Sequence, residues 1–353
     1  MWHLLNNATR HRYKYTKYSN MNILEIQKRY NTQAKCIKFL ELKKWGNKPI
    51  SPFTGKTNVT KRAGTLYYHC NDTNKDFTVL KDTIFEASKL PLPKWFVLIG
   101  LMLSARKGIS SSQISDTLGI TYKTAWYACM RVRCSMVDDM ELLNGIVEMD
   151  ETYIGGKPKR KYVTVDPSIA NLSVVTTEKN KVGRGAKKVA VVGIVERGGE
   201  KRVVTKVMNS LTSRDMITML KKYVALDKSI VMTDEYKAYI PFDNYLQHLT
   251  VQHKKEYVRE GIIHTNTIEG FWSIIKNGIR GQYHALSKKY LPFYLVEFAY
   301  KYNNRNKKST FNQTIKNAIT EEKCAVKYKP KKNVKRIVYR PKRKTAKKKV
   351  ARK

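Results

Sequence analysis

The chain has 353 residues, and its 69 Lys and Arg against 28 Asp and Glu give a formal charge of +41. Such a charge opposes folding through self-repulsion and indicates a polyanionic partner, first of all nucleic acid, because each neutralised phosphate releases counterions on binding. No segment approaches the roughly 18 consecutive apolar residues of a membrane span, and no signal peptide is recognisable at the N-terminus. The five cysteines are scattered and odd in number, which indicates a reducing, intracellular compartment.

The first 90 residues divide into three stretches. Residues 1–20 are polar, aromatic and basic and predict a flexible N-terminal arm, with Met21 as a candidate start. The next stretch, "MNILEIQKRYNTQAKCIKFLELKKW", has apolar residues at helical spacing and predicts a helix. Residues 46–80 are rich in Gly, Pro, Thr and Asn and contain the β-prone pieces "TLYYHC" and "DFTVL", which predict a small strand-and-turn module. We assign residues 21–90 to this helix and module.

Residues 91–140 predict a helix-turn-helix. Pro93 begins an apolar helix, the second helix is capped by serines and stopped by Gly119, and the third begins at Thr121 as N-cap. Two short helices around a glycine turn fit a DNA-binding helix-turn-helix, whereas the alternative is a plain helical hairpin. The net charge favours DNA. The candidate DNA contacts are Thr121, Tyr122, Lys123, Thr124, Arg131 and Arg133, with Arg280 further along the chain.

From residue 141 the pattern changes to strands followed by helices. "GIVEMDETYIG" and "KSIVMTDEYKAY" predict strands, and "KKVAVVGIVERGGEKRVVTKVM" predicts a hairpin turning at Arg197-Gly198-Gly199. "TSRDMITMLKKYV", "TIEGFWSIIKNGI" and "SKKYLPFYLVEFAYKYNNR" predict helices. This order indicates an α/β or α+β layer domain with a central sheet over residues 141–310. Residues 311–353 are assigned to a basic tail, in which 327–353 consist mostly of Lys and Arg and would grip phosphates without sequence preference.

Two predicted strands end in acids, at Asp150 and at Asp234, and a third acid, Glu269, opens a predicted helix. Carboxylates are ligands suited to Mg²⁺ or Mn²⁺, and a pair of such ions supports phosphodiester cleavage. In a chain this basic, acids facing DNA make sense if cations lie between them. The competing interpretation is that each acid is a cap or turn residue. Spacing alone leaves the two interpretations evenly balanced.

Neighbouring residues add candidates to this site. Lys276 lies seven residues after Glu269, on the same helical face, where it could contact a phosphate. The alternative is that it is an ordinary solvated lysine. Strand alternation places Glu148 on the same face as Asp150, which makes it a reserve ligand. Glu151 is interpreted as a neighbour of the site. Trp272 is expected to pack under its helix.

Together, "VEMDETYIGGK", "TDEYKAY", "KWFVLIGLMLSARKGISSSQISDTLGITYKTAW" and "HTNTIEGFWSIIKNGIRGQYHALSKKYLPFYLVEFAYKYNNR" resemble the ISXO-like insertion-sequence transposases, which are related to Merlin elements. The resemblance covers roughly residues 21–310. It implies an RNase H-like α/β catalytic domain, with a mixed central sheet flanked by helices, and a DDE triad matched by Asp150, Asp234 and Glu269. Asn266 is a second-choice third ligand, and the lysine that follows the third acid maps onto Lys276.

The resemblance implies metal-dependent cleavage of element ends and joining of the 3′-OH to target DNA. It also implies double-stranded DNA as partner, at terminal inverted repeats and at the target, and a homo-oligomer on DNA without a membrane. The location would be the cytoplasm or nucleoid of a bacterium, or the nucleus for a eukaryotic or viral host. Two alternatives stay open: a DNA-binding protein that kept the fold and lost transposition, and a nuclease that only cleaves.

The chain departs from the family where a zinc ribbon is expected before the helix-turn-helix. Ser51 and Thr54 stand where the first cysteine pair belongs, and Cys70 keeps one thiolate of the second pair while Thr73 replaces the other. Hydroxyls do not replace thiolates on zinc, so we expect a degenerate zinc-ribbon-like module without structural Zn²⁺. Packing of Phe53, Tyr67 and Phe77 would then have to hold the module together.

Overall fold

The computed structural model describes residues 22–136, 141–155, 188–251, 264–284 and 286–320. The helices in these ranges are α1 (Ile23–Arg29), α2 (Gln33–Trp45), α3 (Leu92–Ser104), α4 (Ser111–Leu118), α5 (Tyr122–Ser135), α6 (Ser213–Tyr223), α7 (Asn266–Gly278), α8 (Leu291–Asn303) and α9 (Thr310–Ile319). The strands are β1 (Val59–Lys61), β2 (Tyr68–Cys70), β3 (Lys75–Phe77), β4 (Leu143–Ile154), β5 (Val189–Glu196), β6 (Val203–Met208), β7 (Val224–Asp234) and β8 (Gln247–Val251). Among the described residues, no helix is long and apolar enough to cross a bilayer. The predicted arm, Met21 and the basic segment 327–353 lie outside the described ranges.

The helix predicted after Met21 is confirmed, but as two helices. Asn22 and Glu25 form a capping box on α1, in which the backbone N–H of Glu25 donates to Asn22 Oδ1 at 2.8 Å. α1 ends at Arg29, and Thr32 starts α2 by accepting the backbone N–H of Lys35 at 3.3 Å. Local capping therefore breaks an otherwise continuous apolar pattern.

The strand-and-turn module is confirmed as an antiparallel sheet in the order β1–β2–β3. The prediction that Tyr67 packs in it is wrong: Tyr67 is 51 % exposed, whereas Tyr68 is buried against Phe77. Successive strand residues face opposite sides, and the face shared by Tyr68 and Cys70 is the buried one. Ser51 Oγ donates to Cys70 Sγ at 3.1 Å, so two positions matched to the zinc ribbon do meet.

The three helices predicted over residues 91–140 are confirmed at their boundaries. Ser110 caps α4, Gly119 ends it in the left-handed conformation (φ 57°), and Thr121 caps α5 by accepting the Thr124 N–H at 3.3 Å. A left-handed residue favours glycine, which has no Cβ. These caps set where α4 begins and ends and where α5 begins. Their assignment as a DNA-binding helix-turn-helix stays a prediction.

The second sheet is mixed and has the order β6–β5–β4–β7–β8. β5 lies antiparallel to both of its neighbours, β4 and β6, and the predicted hairpin joins β5 to β6. β7 runs parallel to β4, and β8 runs parallel to β7. Parallel strands end at the same edge of a sheet, so β4 and β7 present their carboxyl ends side by side.

Helices cover both faces of this sheet. Met216 and Leu220 of α6 pack with Val192 and Ile194 of β5 on one face, together with a 3₁₀ segment over Lys237–Asn244. On the other face, α7 and α8 pack on the alternate residues of β5, including Val191 and Val195. This mixed α/β, three-layer arrangement confirms the layer domain predicted from the strand and helix order.

Two sequence predictions about charged segments are wrong. Residues 310–319, mostly assigned to the basic tail, form α9, whose Phe311 and Ile315 are buried with α2, α3 and α5. Arg133, assigned to DNA, is 1 % exposed and donates through Nε to Glu297 Oε2 of α8 at 2.7 Å. A buried guanidinium cannot reach a phosphate on the surface, so Arg133 instead joins the N-terminal helices to the α/β domain.

Candidate active site

Asp150 and Asp234 lie side by side on adjacent strands: β7 ends at Asp234 as predicted, whereas β4 continues past Asp150 to Ile154. Glu148 pairs with Met232 across the β4–β7 ladder, and each acid follows two residues later on its strand. Side chains alternate along a strand, so a step of two residues keeps the same face. The structure therefore brings together the two acids that the sequence placed at strand ends.

Glu151 completes a three-carboxylate cluster with Asp150 and Asp234. One ligand oxygen from each lies within 4.8 Å of the others, and all three residues are half-buried. Neutral groups orient the cluster: Trp272 Nε1 donates to Asp150 at 2.9 Å, Tyr239 Oη to Glu151 at 2.8 Å, and the Tyr236 N–H to Asp234 at 3.0 Å. Burial and the charge of Glu151 raise the pKa of Tyr239 well above its usual range, so it remains a donor.

Burial and neighbouring carboxylates both act on Asp150 in this cluster. Burial, followed by the charges of Glu151 and Asp234, raises the pKa of Asp150 from 3.8 to about 7. Like charges in a partly buried site oppose one another's ionisation, and a divalent cation removes that opposition. Oxygen ligands grouped in this way suit Mg²⁺ or Mn²⁺.

α7 forms the wall beside the cluster. Glu269, Lys276 and Arg280 line one groove together with Asp150 and Glu151. Glu269 is exposed and accepts from Thr265 Oγ1 at 3.3 Å. In the described part of the chain, it is not among the acids grouped within 4.8 Å. Asp150 and Glu269 of the predicted triad thus line one groove with both basic residues, and Asp234 belongs to the carboxylate cluster beside it.

The reserve ligand Glu148 has a different structural role. It is fully buried, forms an ion pair with Arg197, and accepts the N–H of Ile268 in the first turn of α7 at 2.8 Å. Arg197 also contacts His264 Nδ1 at 2.7 Å. A carboxylate at a helix N-terminus satisfies an otherwise unpaired donor and favours the helix dipole, so Glu148 anchors α7. Asn266 begins α7 but does not line the groove.

The candidate DNA contacts on α5 fall into two groups. Tyr122, Lys123 and Thr124 are exposed at its first turn, and Thr121 caps the helix there. Arg131 donates to the carbonyls of Ile84 and Glu86, at 3.1 and 2.9 Å, and therefore supports the internal structure.

Sequence reasoning undervalued Glu151 and Trp272. Strand alternation argued for Glu148 instead, but Glu151 stands close to the strand end, where Tyr239 of the 3₁₀ segment turns its side chain to the cluster. The sequence signal that could have identified Glu151 was its position close to the acids at the ends of the predicted strands. Trp272 packs under α7 as expected, with 3 % exposure, and also contacts Asp150.

The part of the chain that forms this groove is similar to known proteins. Residues 142–303 match the model of the ISXO2-like transposase domain. This region is therefore similar to the ISXO2-like transposase domain. The chain is also 27 % identical over 237 residues to an uncharacterized protein in transposable element ISH50 of Halobacterium salinarum, covering 65 % of this chain and 76 % of that protein. The resemblance seen in the sequence motifs is thereby confirmed.

Solved structures resemble the chain distantly. The mariner Mos1 paired end complex with Mn is 12 % identical, with a TM-score of 0.28 over 83 % of this chain and 94 % of that one. A simian T-cell lymphotropic virus intasome in complex with a PP2A regulatory subunit is 14 % identical, with a TM-score of 0.26 over 56 % and 66 % of the two chains. TM-scores this low do not define a shared fold, so the description of the fold depends on the chain's own sheet order.

Proposed function

We propose that this chain is a DNA transposase that cleaves element ends and joins the 3′-OH to target DNA, using Asp150, Asp234 and Glu269 as its acid triad. One observation carries the proposal: within the transposase domain, Asp150 and Asp234 meet with Glu151 in one carboxylate cluster beside a groove lined by basic residues. The sheet, with three antiparallel strands followed by two parallel ones, supports an RNase H-like fold.

The cluster fits divalent cations by its donor chemistry. Asp150 receives a neutral indole N–H, and burial, followed by the charges of Glu151 and Asp234, raises its pKa to about 7. Buried acids elsewhere in the described chain, such as Glu148 and Glu297, have arginine partners. Mg²⁺ or Mn²⁺, as two ions, would be held by Asp150 and Asp234, with Glu151 and Glu269 as further oxygen donors, and would supply charge stabilisation during phosphoryl transfer.

The protein residues of the groove have separate tasks in this proposal. Lys276 and Arg280 face the same groove as the acids and would hold DNA phosphates beside them. Glu148 fixes the first turn of α7 through the Ile268 N–H, so the helix that carries Glu269 keeps its place against β4. Positioning of this kind lowers the barrier by holding the reacting groups in line.

The test is nicking of the element's terminal inverted repeats by purified protein with Mg²⁺ or Mn²⁺. Asp150→Ala should abolish nicking while DNA binding persists. The matched control is Asp227→Ala, which removes the same charge from an exposed position near the other end of β7 and should nick normally. Unchanged nicking by the Asp150→Ala protein would refute the site assignment.

Joined products separate the remaining alternatives. A transposase transfers the labelled 3′ end into a second duplex, whereas a nuclease only releases it. A DNA-binding protein that lost catalysis would bind the repeats and leave them intact at every metal concentration. The zinc-ribbon positions Ser51, Thr54 and Thr73 favour this last alternative, because the module departs from the family there.

A further inference from the structure

The indole of Trp272 links α7 to the acid cluster. The side chain is buried, with 3 % exposure, and its Nε1–H donates to Asp150 Oδ2 at 2.9 Å. An indole N–H is only a donor, and a buried one needs an acceptor. Here the acceptor is a carboxylate assigned as a metal ligand, so the ring does more than fill space beneath the helix.

The sheet is shaped to admit this ring. Gly193 of β5 is the residue paired with Asp150 across the β4–β5 ladder. A Cβ at Gly193 would lie 2.6 Å from Cη2 and 2.7 Å from Cζ2 of Trp272. Such contacts are far inside van der Waals separation, so any side chain at position 193 would displace the six-membered part of the indole.

Apolar packing alone does not account for the arrangement. Phe271, the preceding residue of α7, is equally buried in the same cluster, and its ring packs on Tyr302 at a centroid distance of 5.0 Å. Trp272 instead combines burial with a directed hydrogen bond to Asp150. The groups that hydrogen-bond a metal ligand fix its orientation and so affect metal affinity.

We propose that Trp272 is a positioning residue: its indole N–H holds the Asp150 carboxylate in the orientation that binds a divalent cation, and Gly193 provides the space for the ring. This inference rests on the proposed function, since it takes Asp150 as a ligand. Two residues outside the triad, Trp272 of α7 and Gly193 of β5, thereby contribute to the site. Binding of a divalent cation by the acid cluster is thereby linked to the placement of α7, which carries Glu269 and Lys276.

The first experiment measures Mn²⁺ affinity of the full chain by electron paramagnetic resonance of the free ion. Trp272→Phe keeps an aromatic ring and removes the N–H, and it should raise the Mn²⁺ Kd by about 10- to 100-fold, as other losses of a ligand's hydrogen-bond partner do. Phe271→Leu is the matched packing control and should leave the Kd within about twofold, because it removes no ligand contact. Asp150→Asn should abolish the same binding.

The outcomes distinguish this inference from the function on which it depends. If Trp272→Phe binds Mn²⁺ as tightly as the unmodified chain while Asp150→Asn does not bind, Trp272 has no positioning role and the metal site stands. If Asp150→Asn retains full binding, the metal site itself is wrong, and the inference fails with it. A similar loss in Trp272→Phe and Phe271→Leu would reduce Trp272 to a packing residue.

Gly193→Ala tests the same idea without altering the indole. The added methyl should displace the ring and raise the Mn²⁺ Kd, even though the N–H is still present. In the Trp272→Phe background the smaller ring leaves room, so Gly193→Ala should change the Kd little, giving a non-additive double-mutant cycle. Additive effects would contradict the proposed role of Gly193.

The dependence of the nicking rate on Mn²⁺ concentration provides a further test, because a purely structural defect would not change it. With Trp272→Phe, raising the Mn²⁺ concentration should restore much of the nicking rate, since the ligand is misoriented but present. Phe271→Leu should show the metal dependence of the unmodified chain. A rate for Trp272→Phe that stays low at saturating Mn²⁺ would overturn the inference.

Discussion

The buried acid Glu297 offers the sharpest test of how the two halves of the chain are held together. Its side chain is inaccessible to solvent and accepts from Arg133 Nε and Lys301 Nζ, each at 2.7 Å, and from Tyr283 Oη at 3.2 Å. Arg133 belongs to α5 and lies 164 residues away in the chain. One carboxylate thus forms ion pairs with two buried basic side chains at the junction between the N-terminal helices and the α/β domain.

Glu297→Gln keeps the shape of the side chain and removes its charge. Burial alone would raise the pKa of Glu297, but Lys301 and Arg133 outweigh it and hold the pKa below its ordinary value, so the acid is charged at neutral pH. Breaking a buried ion pair from one side costs about 3–5 kcal/mol, because the remaining charge stays desolvated. At roughly 2–4 °C per kcal/mol for large domains, the expected fall in Tm is about 6–20 °C.

Urea denaturation and calorimetry measure this loss, and an exposed pair provides the control. Glu200 lies 3.5 Å from Lys307 with 60 % of its side chain exposed, so Glu200→Gln should cost less than about 1 kcal/mol. The double variant Glu297→Gln/Lys301→Met should be more stable than Glu297→Gln alone, since it removes one uncompensated cation. A loss for Glu297→Gln no larger than that of Glu200→Gln would refute the reasoning.

Four further predictions concern the acids and the basic surfaces. Because a cation displaces a proton from Asp150, whose pKa is about 7, Mn²⁺ affinity should rise about tenfold from pH 6 to pH 8. The metal-free protein should lose stability over the rise from pH 4 to 7, since the folded pKa exceeds the ordinary value; a flat calorimetric titration would contradict this. Lys123→Ala should weaken DNA binding in a mobility-shift assay at unchanged Tm, whereas Arg133→Ala should lower the Tm; the reverse pattern would restore Arg133 as a DNA contact. Deleting residues 327–353 should weaken binding similarly across DNA sequences and reduce its salt dependence, and a loss confined to one DNA site would argue against this.

The amino-acid sequence determined the features that depend on near neighbours. The ends of α4 and α5 follow from Ser110, Gly119 and Thr121, whose caps act within three or four residues and need no distant partner. The apolar runs that lead into Asp150 and Asp234 likewise predicted both strands, although β4 continues past Asp150 to Ile154. The sequence motifs also predicted the similarity to ISXO2-like transposases.

Tertiary structure decided which charged residues are available to a ligand. Glu148 and Glu151 are three residues apart, yet Arg197 and α7 bury the first, while Tyr239 turns the second toward the cluster. The helical spacing of Phe311 and Ile315 did not predict which residues they would pack against. Only tertiary packing placed α9 among the N-terminal helices. The free energy of a buried charge or apolar face depends on partners distant in the chain, which a local pattern does not contain.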